Sequence, residues 1–270
     1  MKIAIAGAAG RMGQTLIKRI AATKGCSLAG AIEGTGSNAL GRDAGEVAGM
    51  GPDAKSVRGV KIVSDSAAAI GAADVVIDFT VPAATVAHAR IAADKGVAMV
   101  IGTTGLDPAQ TALIHEAAKK VPIMWAANMA LGVNILMALV EKTAAMLDPA
   151  YDIEILEMHH RHKIDAPSGT ALALGRSAAA GRKVELEKVW RRSRDGHTGA
   201  RPTGEIGFAT LRGGEEVGVH TVMFASAGER LELTHRSFSR EGYAMGAVMA
   251  AKWLEGKKPG LYGMKDVLGL

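Results

Sequence analysis

The densest run of chemically useful side chains occupies residues 157–170, which read EMHHRHKIDAPSGT. Five consecutive residues in it, from His159 to Lys163, have side chains that can be positively charged. Histidine can release a proton near neutral pH, so a histidine beside a lysine suits general acid catalysis on a substrate held by its negative charges. The run therefore predicts a site for a small, strongly anionic ligand.

A helix is predicted to begin directly after this run. Ser168 is a candidate N-cap because it precedes the helix-forming residues 171–174. The first backbone N–H groups of that helix, from Gly169, Thr170 and Ala171, would bind a carboxylate or phosphate together with the helix dipole. The cationic side chains and the helix N-terminus thus predict the same kind of ligand.

The histidines have two other interpretations. Three histidines could bind zinc, but the run contains no cysteine and no pair of histidines four residues apart on a helix, so we predict no metal. An ordinary solvated loop is the second alternative. Against it, the apolar residues 153–156 predict a strand directly before the charges, and loops at strand ends often carry functional residues.

The N-terminus predicts a strand at 2–6, a glycine-rich turn and a helix at 11–23. The glycines of the turn lie three apart rather than in the spacing GxGxxG. They can still give a tight turn at Gly7, close approach of a pyrophosphate at Gly10 and close helix packing at Gly13. The residues predicted to bind a dinucleotide here are Gly7, Ala8, Ala9, Gly10, Arg11, Met12 and Gly13.

A second predicted strand, at 27–32, is followed by Glu33. Dinucleotide-binding folds place an acidic residue at this point to bind the adenine ribose hydroxyls. A carboxylate would repel the 2′-phosphate of NADPH, and Gly34 supplies no cation, so we expect NADH to be used at least as readily as NADPH. The alternative for Glu33 is a solvated acid. Residues 34–59 show little periodicity and predict a long loop near the cofactor.

Strands at 75–79, 97–101 and 123–126 alternate with helices at 82–95 and 108–119. This alternation predicts an α/β fold with a Rossmann-like, doubly wound parallel sheet. Ligands of such sheets bind beyond the carboxyl ends of the strands, although ordinary turn chemistry is the alternative for each strand end. The strand-end residues predicted to contact the cofactor are Phe79, Gly102, Thr103, Thr104, Ala126, Ala127 and Asn128.

The sequence beyond residue 127 predicts a second, α+β domain. Its last strands alternate apolar and polar residues around glycine turns, which predicts an antiparallel meander within a mixed or antiparallel sheet. The face carrying Val217, Val219, Thr221 and Met223 is interpreted as a subunit interface or, equally, as domain core. The predicted strands are 152–157, 207–212, 216–225 and 230–235, with a helix at 170–180.

A helix at 239–254 is predicted to return the chain to the first domain. The predicted dinucleotide-binding domain is therefore 1–127 with 240–270. Residues 128–239 form the predicted substrate-binding and oligomerisation domain.

The composition limits the partners. The 270 residues carry a formal net charge of +5, and only 4% of them are aromatic. A basic chain suits anionic small molecules, whereas few aromatics disfavour stacking on nucleic-acid bases. Cys26 is the only cysteine, so no disulfide forms within the chain. Since no run of about 20 apolar residues is present, we expect a cytoplasmic protein without a membrane span.

The motifs together resemble those of the bacterial dihydrodipicolinate reductase family of lysine and diaminopimelate biosynthesis. The resemblance runs essentially from end to end and implies NADH- or NADPH-dependent reduction of 4-hydroxy-tetrahydrodipicolinate to tetrahydrodipicolinate with loss of water. It also implies a homotetramer built through the sheet of the second domain. The motifs that carry it are the glycine turn, GTTG at 102–105, AANMALGVN at 126–134, EMHHRHKIDAPSGT at 157–170, GHTG at 196–199, IGFA at 206–209 and DVL at 266–268.

The resemblance also implies roles for individual residues. His159 would be the proton donor, and Lys163 the cation that binds the substrate and assists proton transfer. His160 and the turn Ser168-Gly169-Thr170 would hold a carboxylate of the dicarboxylate substrate.

Two residues depart from the family pattern. Met129, which would lie beside the nicotinamide, stands where the family often has an aromatic residue. Gly34 stands where some members carry an arginine for the 2′-phosphate of NADPH.

Two other functions are weighed against the reductase. A semialdehyde dehydrogenase would need a cysteine nucleophile, and Cys26 precedes the second predicted strand, remote from any strand-end site. A non-catalytic NAD-binding sensor would leave His159 and Lys163 without a role.

Overall fold

The computed structural model describes residues 1–270. The chain forms two compact units, one of Met1–Leu131 with Arg240–Leu270 and the other of Gly132–Ser239. None of its helices has the length and apolar character needed to cross a membrane. The elements in chain order are β1 (Lys2–Ala6), α1 (Arg11–Ala21), β2 (Ser27–Ile32), α2 (Ala44–Val47), β3 (Ile62–Val63), α3 (Ser66–Gly71), β4 (Val75–Asp78), α4 (Pro82–Lys95), β5 (Ala98–Ile101), α5 (Pro108–Ala118), β6 (Pro122–Trp125), α6 (Leu131–Met146), β7 (Asp152–His159), α7 (Gly169–Gly181), α8 (Leu186–Val189), β8 (Trp190–Arg191), β9 (Ile206–Arg212), β10 (Gly218–Ala225), β11 (Arg230–Ser237), α9 (Glu241–Trp253), β12 (Gly260–Tyr262) and α10 (Met264–Leu268).

The first unit is built on a seven-stranded sheet in the order β12-β6-β5-β4-β1-β2-β3. All neighbouring strands are parallel, which confirms the predicted doubly wound sheet. All four residues of β4 are buried, as expected for a strand with helices on both faces of its sheet. The sequence pattern misses the edge strands β3 and β12 because two or three residues are too few to show a period.

Successive residues of β1 enter two different cores. Ile3 and Ile5 pack in one core with residues of α1 and α9. Ala4 and Ala6 pack in the other with residues of α4 and α5. Full burial of a side chain as large as isoleucine contributes about 1.5–3 kcal/mol. This two-sided packing aligns the strands and brings their carboxyl ends to one edge of the sheet.

Residues 34–59 are more regular than the predicted loop. The segment contains α2, whose N-cap Asp43 accepts hydrogen bonds from the backbone N–H groups of Glu46 and Gly59 at 2.8 and 2.6 Å. A single helical turn is too short to show a hydrophobic period, so the sequence pattern does not reveal it. The residues of this segment that are buried in the core of the first unit are Ala39, Ala44, Ala48 and Val57.

The second unit contains a five-stranded mixed sheet in the order β11-β10-β7-β9-β8. β10 is antiparallel to β11 and β7, whereas β9 is parallel to β7. The predicted meander is therefore wrong at β9, because β7 lies between β9 and β10. Alternation of apolar and polar residues identifies strands but does not select their neighbours.

The two faces of this sheet have different surroundings. Ile155, Val222 and Phe224 form a buried core with residues of α6 and α7. Val219 and Met223 alternate with those core residues and lie on the opposite face, half-buried, so the core interpretation of these two positions is wrong. That this face is a subunit interface remains a prediction.

Candidate active site

The charged run begins inside β7 and continues into the loop that follows this strand. A second loop, residues 213–217, forms backbone hydrogen bonds with it. β7 extends to His159, beyond its predicted end, and its alternation buries Glu157 and His159 on the same face. Residues 213–217 cross the end of β7. There Gly213 N donates to His159 O at 3.0 Å, and His160 N donates to Glu216 O at 2.7 Å. Backbone hydrogen bonds thus fix the position of the histidines.

Glu157 is the centre of a buried hydrogen-bond network. Its side chain has no solvent exposure and accepts from both terminal nitrogens of Arg212, at 2.9 and 3.0 Å. The backbone N–H of Ser168 donates to the same carboxylate at 3.0 Å. Burial raises the pKa of Glu157, but the hydrogen bonds from His159, Arg212 and Ser168 outweigh it and lower the pKa to about 2. Glu157 is therefore ionised at neutral pH.

His159 is oriented by that carboxylate. Its Nδ1 lies 2.6 Å from Glu157 Oε2 and must be the donor, because the carboxylate is ionised. The other ring nitrogen, Nε2, faces Gly218, where a Cβ atom would come within 3.0 Å of it. The ring therefore holds a proton on Nδ1, which leaves Nε2 as the nitrogen that can take up and release a proton.

His220 lies next to His159 and is also buried. The two rings meet edge to face with centroids 5.0 Å apart, and His220 Nε2 lies 3.0 Å from Ser168 Oγ. Burial lowers the pKa of His220 to about 4, and the neighbouring His159 contributes to the decrease. His220 is therefore neutral at physiological pH.

Glu157, His159 and His220 are close enough together to be considered as metal ligands. However, both oxygens of the carboxylate already accept hydrogen bonds from the guanidinium of Arg212. A second cation beside that guanidinium would be repelled, so this donor set fits a hydrogen-bond network better than a metal site.

The sequence pattern does not assign roles to Glu157, Arg212 or His220. Alternation along β7 could have placed Glu157 on the same face as His159. Arg212 and His220 lie on β9 and β10, and only the strand order brings them to β7.

Lys163 forms an ion pair with Asp165, with Nζ and Oδ1 2.8 Å apart. The hydrogen bond from Lys163 lowers the pKa of Asp165. The loop turns Arg161 and His162 to the exterior, whereas His160 and Lys163 are half-buried. Only part of the predicted cationic run is therefore turned inward.

The predicted N-cap at Ser168 is confirmed. Its Oγ accepts from Ala171 N at 3.1 Å, and α7 begins at Gly169. Ser168 is buried, and its backbone N–H already binds Glu157. Gly169 is exposed and Thr170 is half-buried at the positive end of the helix dipole.

The glycine turn of the first unit has the geometry predicted from its sequence. Gly7 adopts a positive φ of 76°. A Cβ atom on Gly13 would lie 2.1 Å from Gly7 O, so only glycine lets α1 approach the turn this closely. Gly10 is the N-cap of α1 and has no side chain to cap the helix, which leaves this helix N-terminus open to an anion.

Glu33 is held against this turn. Its Oε1 accepts a hydrogen bond from Ala9 N at 2.8 Å, and Gly34 N lies 3.3 Å from Oε2. Two separately predicted cofactor features, the turn and the acid after β2, are therefore adjacent. Arg11 and Gly34 are exposed, Met12 is half-buried, and Ala8 is buried.

The strand-end residues differ in exposure. The Phe79 ring packs on Gly102, where a Cβ atom would lie 2.2 Å from the ring. Thr104 and Ala127 are exposed and Ala126 and Asn128 are half-buried, whereas Thr103 is buried. Met129 is only 1% exposed and its side chain belongs to the core of the first unit.

Family models match both parts of the chain. The model for "Dihydrodipicolinate reductase, N-terminus" matches residues 1–129, and the model for "Dihydrodipicolinate reductase, C-terminus" matches residues 132–268. The chain belongs to the dihydrodipicolinate reductase family. The predicted family resemblance is thereby confirmed.

Relatives of this family match the whole chain. A protein of Afipia carboxidovorans named 4-hydroxy-tetrahydrodipicolinate reductase is 54% identical over all of this chain and 97% of its own length. A protein of Rhodopseudomonas palustris with the same name is 53% identical over all of this chain and 98% of its own length. The structure of a dipicolinate-bound dihydrodipicolinate reductase from Paenisporosarcina sp. TG-14 shares the fold, with a TM-score of 0.75, 24% identity and 98% coverage of both chains.

Proposed function

We propose that the protein is an NAD(P)H-dependent 4-hydroxy-tetrahydrodipicolinate reductase of lysine and diaminopimelate biosynthesis. The observation that carries this proposal is 54% identity over the whole chain to a relative with that name. In the overall reaction, the substrate takes up a hydride and a proton and releases water, giving tetrahydrodipicolinate and oxidised cofactor. The nicotinamide cofactor supplies the hydride when bound.

His159 is the proton donor in this proposal. Glu157 fixes the proton on Nδ1 and stabilises the positive charge that the ring carries when Nε2 is also protonated. The Nε2 proton then passes to the substrate as the hydride arrives. Arg212 and Ser168 keep the Glu157 carboxylate from moving or becoming protonated, so the ring has a single orientation.

Lys163, His160 and the start of α7 bind the dicarboxylate. Lys163 exchanges its partner Asp165 for a substrate carboxylate and assists the proton transfer. Gly169 and Thr170 lie at the positive end of the helix dipole, which attracts a carboxylate. Ser168 supports them as N-cap, since its own N–H and Oγ have partners within the protein. The dipicolinate named for the Paenisporosarcina protein is a ligand of the same chemical class.

In this proposal the dinucleotide-binding domain is residues 1–127 with 240–270, which make up most of the first unit. The N-terminus of α1, which no side chain caps, would hold the pyrophosphate, and Glu33 would bind the adenine ribose. Because Glu33 is a carboxylate held at the turn, NADH is used at least as readily as NADPH. The residues assigned to the cofactor are Gly7, Ala8, Ala9, Gly10, Arg11, Met12, Gly13, Glu33, Gly34, Phe79, Gly102, Thr103, Thr104, Ala126, Ala127, Asn128 and Met129.

The buried members of that group act through the backbone or through packing. Ala8, Thr103 and Met129 have little exposed side chain. Their contribution to cofactor binding is therefore the path of the chain and not a side-chain contact.

Residues 128–239 bind the substrate and form the subunit contacts of a homotetramer. The apolar side chains on the outer face of the second sheet support this assignment. This face carries half-buried Val219 and Met223, and Leu211 is 48% exposed. Burial of these side chains against another copy would remove apolar surface from water.

The activity is tested with substrate generated from pyruvate and aspartate semialdehyde by an added synthase. Oxidation of NADH and NADPH is followed by the loss of nicotinamide absorbance, with wild type beside His159→Gln. We expect substrate-dependent oxidation by wild type and a kcat lower by about 10²–10⁴ in the variant, as for other positioned general acids. Wild type that binds a cofactor but oxidises neither would support the sensor alternative instead.

A further inference from the structure

A second buried carboxylate, Asp78, lies at the end of β4 in the first unit. Its side chain has no solvent exposure. Oδ2 lies 2.6 Å from Nδ1 of His88, on α4. Oδ1 lies 2.6 Å from the Thr80 hydroxyl and 3.1 Å from the Thr103 hydroxyl. Asp78 thus gathers polar groups from the loops that follow both β4 and β5.

The hydroxyl of Thr85 links the loops that follow β4 and β5. Thr85 of α4 is fully buried, and its Oγ1 lies 3.0 Å from Asp78 Oδ1 and 2.8 Å from Thr103 Oγ1. The backbone N–H of Thr80 also donates to Thr103 Oγ1 at 3.0 Å. The two loops are therefore tied to the same carboxylate and to each other.

The loops held by Asp78 contact the other predicted cofactor segments. A Cβ atom on Gly7 would lie 3.1 Å from Phe79 O and 3.2 Å from the Thr80 methyl group, so the loop after β4 touches the glycine turn. At the other end, Trp125 Nε1 donates to Thr103 O at 3.3 Å. A displacement around Asp78 would therefore reach the turn and the end of β6.

The carboxylate is ionised despite its burial. Burial raises the pKa of Asp78, but the hydrogen bonds from His88 and Thr80 prevail and hold the pKa below its ordinary value. His88 is itself buried, and its Nε2 lies 3.1 Å from Ser66 Oγ. A buried charge with this many partners defines a single arrangement of the surrounding backbone.

We propose that Asp78 positions the cofactor-binding loops after β4 and β5, acting through Thr80, Thr85 and Thr103. The inference rests on the proposed binding of a nicotinamide dinucleotide at this sheet edge. Asp78 is a positioning residue because it is fully buried and acts on the cofactor only through other residues. Its partners set where Phe79 and the backbone of residues 102–104 lie.

Thr85 offers the sharpest test because it is fully buried and has a matched pair of substitutions. Thr85→Val keeps the volume and removes the hydroxyl, while Thr85→Ser keeps the hydroxyl. The Kd of NADH is measured for both variants, for Asp78→Asn and for wild type, with thermal unfolding as a check of folding. Steady-state kinetics on the same proteins separate kcat from the KM for NADH.

We expect Thr85→Val and Asp78→Asn to raise the Kd and KM for NADH about tenfold, the lower end of the effect of losing a supporting hydrogen-bond partner at metal sites. The kcat at saturating NADH should change less, and Thr85→Ser should restore most of the affinity. A folded Thr85→Val protein with a lower Tm and an unchanged Kd for NADH would overturn the inference. This result would be sufficient even if Asp78→Asn did not fold. Wild type that binds neither NADH nor NADPH would overturn the proposed function and this inference together.

Discussion

The Nδ1 atom of His159 lies 2.6 Å from Oε2 of Glu157, and both side chains are buried at the end of β7. Because Arg212 and the N–H of Ser168 bind the same carboxylate, Glu157 cannot turn away from the imidazole without breaking several hydrogen bonds. The Glu157 carboxylate therefore selects both the tautomer and the orientation of the His159 ring.

Replacement of this carboxylate should impair turnover more than binding. Glu157→Gln removes the charge that stabilises the protonated ring, and we expect kcat to fall about 10- to 100-fold. The matched control is Glu154→Gln, on the same strand but the opposite face, where the carboxylate binds Arg194 and Arg201. A Glu157→Gln enzyme with the kcat of wild type would contradict the role assigned to the pair.

The ion pair between Lys163 and Asp165 should compete with the substrate. We expect Lys163→Ala to raise the substrate KM and lower kcat. Asp165→Asn should instead lower the KM about two- to fivefold, because a partly exposed ion pair is worth no more than about 1 kcal/mol. Steady-state kinetics over a range of substrate concentrations distinguish the two effects. If Asp165→Asn raised the KM, Asp165 would be part of the binding site and not a competitor.

The cofactor preference should depend on Glu33. Glu33→Gln keeps an oxygen acceptor for Ala9 N but removes the charge, so the ratio of kcat/KM for NADPH to that for NADH should rise about tenfold. Glu46→Gln, an exposed acid on α2, is the control and should leave the ratio unchanged. Strong preference of the wild type for NADPH would show that Glu33 does not exclude the 2′-phosphate.

His220 should make folding sensitive to acid in a defined range. Its pKa falls from 6.5 to about 4 on folding, so the folded state prefers the neutral ring. The contribution of His220 to the free energy of unfolding is fully present above pH 6.5 and is lost as the pH falls from 6.5 through about 4. The whole pKa shift corresponds to about 3 kcal/mol. Denaturant unfolding across this range should show a weaker pH dependence for His220→Gln than for wild type.

Several other titratable groups surround His220, namely Glu157, His159, Lys163 and His235. The comparison therefore uses the difference between variant and wild type at each pH. His115→Gln, at an exposed position on α5, serves as the control and should follow the wild type. Equal pH dependence in His220→Gln and wild type would contradict the assignment of a depressed pKa to this residue.

The alternation of strands and helices predicted the first sheet because its central strands are mostly apolar runs separated by helical segments. The same reasoning could not predict the neighbours of β9 in the second sheet, because the alternation of residues within a strand does not specify which strand it pairs with. Residues 213–217 cross over the end of β7 and do not close a hairpin between β9 and β10. Edge strands and the single turn of α2 were too short to carry a pattern.

The predicted site residues were those with distinctive chemistry, such as His159, Lys163 and the glycines of the turn. The hydrogen-bond network around Glu157 that supports them could not be predicted from the spacing of residues in the sequence. Arg212 lies 55 positions from Glu157 in sequence, and His220 lies 52 from Ser168. Contacts of this separation depend on strand order, which a single sequence specifies only through the complete fold.

The discontinuous first unit has a consequence for synthesis of the chain. Its core requires Ala247 and Val248 of α9, and its sheet gains β12 only from residues 260–262. The second unit is continuous from residue 132 to residue 239 and is complete in sequence before α9 has been translated. On the ribosome, the first unit is therefore the first to be synthesised and the last to complete its core. Its sheet still lacks β12 when the second unit can already fold.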